Sequence, residues 1–151
     1  MRYLLFTLIS FLFFSCDKGL TVEQQLQADI EKIESYLADH NLTAESTASG
    51  LHYIITNQGS GGHPSLSSTV TVNYVGKLLD TEKVFDQTTG IPVTYPLVKL
   101  IQGWQEGIPF LQKGGKGTFF IPSALGYGPS GAGSDIPANA PLIFEIELVN
   151  F

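Results

Sequence analysis

Leu142-Ile143-Phe144-Glu145-Ile146-Glu147-Leu148-Val149 is the stretch that decides the class of fold. Leu142, Phe144, Ile146 and Leu148 fall on one side of an extended chain, and the alternate positions include Glu145 and Glu147. A period of two places one face on a core and leaves the other mostly wet, as in antiparallel sheets. Working backwards, Leu51 to Thr56, Thr69 to Leu79, Val93 to Leu97 and Thr118 to Ile121 read as further short strands separated by turn residues. Between the third and fourth runs, Ile101, Trp104, Ile108 and Leu111 recur at three or four residues. That spacing predicts one short helix ending at Lys113-Gly114-Gly115, and so an α+β design with one helix on a mostly antiparallel sheet.

The chain has 151 residues, enough for one ordinary domain with short appendages. Its 43% hydrophobic and 11% aromatic residues can bury a real core, which argues against a disordered chain. The formal net charge is -6, and the only arginine, Arg2, lies in the N-terminal segment. Nucleic-acid binding draws on clustered Lys and Arg that displace counterions from phosphates, and no such patch exists.

Met1 to Ser15 has a charged start at Arg2, an apolar run from Tyr3 to Phe14 broken by Thr7 and Ser10, and a small residue before Cys16. This reads as a signal peptide over residues 1–15. An apolar run of about 12 residues makes roughly 18 Å of helix, short of a hydrocarbon core of about 30 Å. Cys16 is the only cysteine, so no intrachain disulfide can form. Its position after Ser15 resembles the bacterial lipobox, whose cysteine is acylated and becomes the mature N-terminus; the other reading is an incidental cysteine near an ordinary cleavage site. Residues 16–20 would then be a lipid-anchored N-terminus facing the periplasm or exterior, several acyl chains holding where one binds reversibly. A secreted, soluble periplasmic protein is the alternative.

From Thr21 to about Asp39, Leu26, Ile30, Ile33 and Leu37 make an amphipathic stripe. Thr21 with Gln24 fits a capping box. The helix could pack on its own domain, or serve as a dimerising seam or a spacer from the membrane. With the Thr/Ser/Ala-rich connector from Asn41 to Gly50 it forms an appendage, residues 21–50, before a main domain over 51–151.

Gly126-Tyr127-Gly128-Pro129-Ser130-Gly131 formally matches the dinucleotide fingerprint. The fingerprint needs a helix whose N-terminus meets the pyrophosphate, and Pro129 with the run Gly131 to Pro137 forbids one. His40, His52 and His63 are dispersed and form no metal-binding spacing, and no Gly-x-Ser-x-Gly elbow occurs. Neither a metal nor another cofactor is expected. What remains is an aromatic and apolar set, Tyr74, Phe85, Trp104, Tyr127 and Phe144, with Asp86 among them. Alone, such a set reads as packing.

Its order says more. Val72-Asn-Tyr-Val-Gly-Lys-Leu78, Val84-Phe-Asp-Gln87, Ile101-Gln-Gly-Trp-Gln-Glu-Gly107, Ile121-Pro-Ser-Ala-Leu-Gly-Tyr-Gly128 and Ile136-Pro-Ala-Asn-Ala-Pro-Leu-Ile-Phe-Glu-Ile-Glu-Leu148 follow one another along about two thirds of the chain. In these residues the chain resembles the FKBP-type peptidyl-prolyl cis-trans isomerases, in the form of a bacterial lipoprotein. The resemblance implies an antiparallel five-stranded sheet wrapped around one short helix, with the site between them. It implies that Trp104 floors a pocket for the proline ring and that Tyr74, Phe85, Ile101 and Phe144 wall it. Asp86 and Tyr127 would stand at the rim, Ile101 would offer its backbone N–H, Ile136 would lie on an overhanging loop, and Leu100 and Val93 would complete the substrate-binding set. It also raises macrolide inhibitors as ligands of this pocket.

Two departures stand out. Val93 occupies a place where many members carry an aromatic, and the segment after Asp86 lacks the arginine that often pairs with this aspartate. Rotation about X-Pro breaks no covalent bond, so the chemistry asks for neither nucleophile nor metal. The expected activity is isomerisation of X-Pro bonds in exported proteins. A non-catalytic peptide-binding or chaperone module of an envelope complex is the alternative.

Overall fold

The computed structural model describes residues 19–151, so the signal-peptide and Cys16 expectations lie outside the described residues. Helix α1 (Val22–Asp39) leads, followed by strands β1 (Glu45–Ser46), β2 (His52–Asn57), β3 (Thr69–Leu78), β4 (Val84–Gln87) and β5 (Val93–Pro96). Helix α2 (Gln102–Gly107) comes next, then β6 (Lys116–Ile121) and β7 (Leu142–Asn150). The strands form one antiparallel sheet in the order β1-β2-β6-β7-β3-β4, with β5 also on β3.

The expected five strands are seven, and the register explains the difference. Strand β3 pairs with β7 along one edge, from Thr71 to Leu78. On its other edge β5 takes Thr69 to Val72 and β4 takes Val75 to Lys77, so two strands share one lane. The Asn41 to Gly50 connector contains β1, which pairs Glu45 with Tyr53 and Ser46 with His52. Gly50, at φ 89°, supports the turn between them.

The second helix ends earlier than its apolar spacing predicts. Gly107 closes α2, and Ile108–Phe110 tighten into a 3₁₀ turn with Pro109 inside it. Proline has no N–H to continue the ladder, and Leu111 is already extended at φ -87°, ψ 154°.

Two hydrophobic layers lie on opposite faces of the sheet. The larger gathers Val70, Val72, Trp104, Ile108, Phe119, Ile121, Leu142, Phe144 and Ile146 around α2. On the other face Ile33 and Leu37 of α1 pack on Phe120, Ile143 and Leu79. This is why Ile143, on the face of β7 read as wet, is buried: α1 covers that end, while Glu145 beyond it stays exposed. The capping box is present, with Gln24 N–H donating to the Thr21 hydroxyl at 3.2 Å and Thr21 N–H to Gln24 Oε1 at 2.9 Å. Helix α1 thus packs on its own domain, and among the described residues no helix is long and apolar enough to cross a membrane.

Candidate active site

Between the sheet and α2 lies a cleft of about 180 Å³ lined by Tyr74, Phe85, Asp86, Tyr95, Leu100, Ile101, Trp104, Tyr127 and Phe144. Trp104 sits on the first turn of α2, 5% exposed, and can lie so deep because its neighbour is Gly103. A Cβ at Gly103 would stand 2.5 Å from Ile121 Cγ2. The missing side chain lets the helix press against β6.

The aromatic walls meet edge to face. Trp104 and Phe144 have ring centroids 5.1 Å apart at 90°, Tyr74 and Trp104 5.1 Å apart at 80°, and Phe85 and Phe144 5.6 Å apart at 84°. Such geometry pairs ring edges with π faces and adds about 0.5–1.5 kcal/mol per pair beyond area burial. Register makes the close approach possible, since Gly76 lies opposite both Phe144 on β7 and Asp86 on β4. A Cβ on Gly76 would stand 2.7 Å from Phe144 and 2.8 Å from Phe85.

The rim is polar. The Tyr74 hydroxyl donates to Asp86 Oδ2 at 2.5 Å, and among the described residues no cation pairs with that carboxylate. Burial first, then the hydrogen bond to Asp86 and its negative charge, hold the Tyr74 hydroxyl protonated well above the usual tyrosine range. Burial and the same carboxylate raise Tyr127. Tyr127 is 37% exposed and, among the described residues, its hydroxyl meets no partner. The Ile101 carbonyl accepts from Trp104 N–H at 3.0 Å and Gln105 N–H at 3.1 Å, opening α2. The Ile101 N–H meets no acceptor among the described residues. Gln105 Nε2 donates to the Leu100 carbonyl at 2.7 Å and fixes the loop before it.

Eight of the ten pocket residues expected from sequence come together here, Leu100 among them. Val93 and Ile136 do not line the cleft. Val93 packs against the core from β5, opposite Val72. Ile136 is 6% exposed, its backbone bonded both ways to Ala132 at 2.9 and 3.1 Å. Tyr95 is the wall that sequence reading missed. It lies two residues beyond Val93 on the same strand, and the period of two in β5 was the available signal.

A larger hollow, about 540 Å³, lies on the opposite face of the sheet and is lined by groups including Asn73, Thr88, Lys116, Glu145 and Glu147. Its charges are already engaged: Asn73 Nδ2 donates to Glu147 at 3.1 Å and Lys116 pairs with Glu147 at 3.3 Å. The Asn73 hydrogen bond, with Lys116 behind it, lowers the Glu147 carboxyl. Size alone does not make this hollow the site.

Residues 61–149 match the family described as FKBP-type peptidyl-prolyl cis-trans isomerase. A probable FKBP-type peptidyl-prolyl cis-trans isomerase FkpA from Neisseria meningitidis serogroup B is 46% identical over 127 residues, 82% of this chain and 46% of that protein. The outer membrane protein MIP of Legionella longbeachae is 41% identical over 104 residues, 68% of this chain and 44% of that protein. The chain thus spans a little under half the length of these curated relatives. A crystal structure of a peptidyl-prolyl cis-trans isomerase from Pseudomonas syringae pv. tomato superposes with a TM-score of 0.71 at 32% identity, covering 88% of this chain and 97% of that one. Motif order, cleft and these likenesses agree, and the chain belongs to the FKBP-type peptidyl-prolyl cis-trans isomerase family.

Proposed function

We propose that this chain catalyses cis-trans isomerisation of X-Pro bonds in exported polypeptides. The observation that carries the reading is the cleft itself: an apolar aromatic floor and walls, with two donors at its edge, Ile101 N–H and the Tyr127 hydroxyl, that meet no acceptor among the described residues. The proline ring sits on Trp104 between Tyr74, Phe85 and Phe144. The Ile101 N–H and Tyr127 hydroxyl hold carbonyls flanking the bond. Asp86 orients Tyr74 through their hydrogen bond and sets the negative potential of the rim.

The uncatalysed barrier is about 18–20 kcal/mol because twisting the amide loses its resonance. Bringing a step of tens of seconds to milliseconds takes roughly four to five decades, or about 6 kcal/mol. The planar amide is the more dipolar form and loses more hydration on entering an apolar cleft than the twisted one does. A cleft shaped to the twisted peptide lowers the barrier further by differential binding. Macrolide inhibitors of the family belong in the same cleft.

The apolar run ending at Ser15-Cys16 supports export and attachment to a membrane through lipid on Cys16. The outer-membrane name of the Legionella relative fits that compartment. NMR exchange spectroscopy on short X-Pro peptides, with catalytic amounts of soluble protein starting at Asp17, tests the activity. Acceleration that a macrolide suppresses supports it; peptide binding without acceleration, across several residues before proline, replaces it with a binding module.

A further inference from the structure

The most buried charged group in the described residues lies outside the cleft. Asp29 on α1 is 0% exposed, and no cation meets it among the described residues. Its Oδ2 accepts from the Ser123 backbone N–H at 2.8 Å and from the Ser123 hydroxyl at 2.5 Å, and its Oδ1 accepts from Gln25 Nε2 at 2.7 Å. A carboxylate removed from water is costly unless it is hydrogen-bonded, and here three donors engage both of its oxygens. Ser123 starts a 3₁₀ turn, Ser123–Leu125, closed by Leu125 N–H on Pro122 at 2.9 Å and Gly126 N–H on Ser123 at 3.0 Å. Gly126 then turns the chain at φ -108°, ψ -114°, and the next residue is Tyr127 of the cleft. The Tyr127 hydroxyl has no partner within the described residues, and its backbone is held on one side by this turn and on the other by Asn139 N–H on the Gly128 carbonyl at 2.8 Å. That backbone is tethered at Ser123, four residues away, by a helix that precedes the family match at residue 61.

We propose that Asp29 is a positioning residue for the isomerase cleft: through Ser123 it makes α1 set the place of Tyr127. The inference rests on the activity proposed above for its kinetic arm, while a second arm reads position directly. Removing Asp29 leaves the Ser123 N–H and hydroxyl without their acceptor and loosens the turn, and a displacement of about 1 Å at a site can cost up to about 100-fold in rate.

The test uses the full chain with Asp29→Ala, Asp29→Asn and Ser123→Ala, each alone and with Tyr127→Ala, all checked for folding by near-ultraviolet circular dichroism. Asp29→Ala should lower kcat/KM on an X-Pro peptide on the order of tenfold, and Asp29→Asn, which keeps one acceptor, should recover part of it. In the Tyr127→Ala background the same change should cost less than about twofold, because the residue through which it acts is gone. If Asp29→Ala does not fold, Asp29→Asn and Ser123→Ala carry the comparison with smaller effects. In parallel, ¹⁹F NMR of 3-fluorotyrosine at position 127 should shift or broaden in the Asp29 variants while the same label at position 74 does not. Equal kinetic losses in both backgrounds, or an unmoved label at 127 in folded variants, overturns the inference. A wild-type chain without isomerase activity removes the proposed function, and the fluorine signal still decides whether Asp29 places Tyr127.

Discussion

Gly76→Ala adds one methyl at the point where β3 passes beneath two rings of the cleft. The new carbon would stand 2.7 Å from Phe144 Cε1 and 2.8 Å from Phe85 Cζ, against ordinary contact that begins near 3.4 Å. One ring or the strand must therefore move by roughly 0.6–0.7 Å, and Phe144 is wedged against Trp104 and Tyr74. Overpacking of this kind costs typically about 1–3 kcal/mol. For a chain of this size that is a fall in Tm of roughly 3–10 °C. The displaced rings form the wall assigned to the proline, so kcat/KM should fall by about ten- to a hundredfold. Thermal melts and peptide isomerisation rates measured side by side check both numbers. Gly62→Ala serves as the control, because nothing lies within 4 Å of a Cβ there. A Gly76→Ala protein that melts and turns over like Gly62→Ala would refute the claim that this glycine makes room for the aromatic wall.

Tyr74→Phe removes the hydrogen bond to Asp86 and should cost about 1 kcal/mol in stability, read by denaturant unfolding. Because the Tyr74 pKa is raised, its contribution is full below about pH 10, the ordinary tyrosine value, and is lost as pH climbs through the folded-state value. Ultraviolet titration should show a late-ionising tyrosine that is missing in Tyr74→Phe. Glu147 has the opposite sign: its lowered pKa gives stability that is present above the ordinary glutamate range and lost as pH falls through the folded value. Asn73→Ala should flatten that acid-side decline in thermal melts. Ile33→Ala, at a fully buried position on the sheet-facing side of α1, should destabilise by about 2–5 kcal/mol in denaturant unfolding. Radiolabelled fatty acid should be incorporated by the wild-type chain in a bacterial host, and Cys16→Ser should lose the label.

Much of this was legible because the signals were local. Alternation in Leu142 to Leu148 fixed β7, and Thr21 with Gln24 fixed the start of α1. The spacing of Leu26 to Leu37 announced an apolar stripe without saying what would cover it. Only the tertiary structure brings Phe120, Ile143 and Leu79 beneath Ile33 and Leu37. The apolar positions from Ile101 to Leu111 blurred one boundary, since Leu111 is fully buried but not helical. Pro109 was the overlooked stop. Strand β4 is four residues long and shows in the sequence only as the motif Val84-Phe-Asp-Gln87, because so short a segment carries little periodicity. Order along the chain located most of the cleft, whereas Tyr95 enters it at the alternate position beyond Val93 in β5, a strand of only four residues. The Asp29 to Ser123 contact spans 94 residues and joins a helix position to a loop, which no local pattern encodes.

The central claim is that X-Pro bonds rotate in the cleft floored by Trp104. Exchange or protease-coupled rates should be measured for the full chain beside Trp104→Ala and Phe85→Ala, with folding of each verified. The account predicts acceleration by the wild type and a loss of at least about tenfold in both variants. Full activity in two folded variants would contradict it.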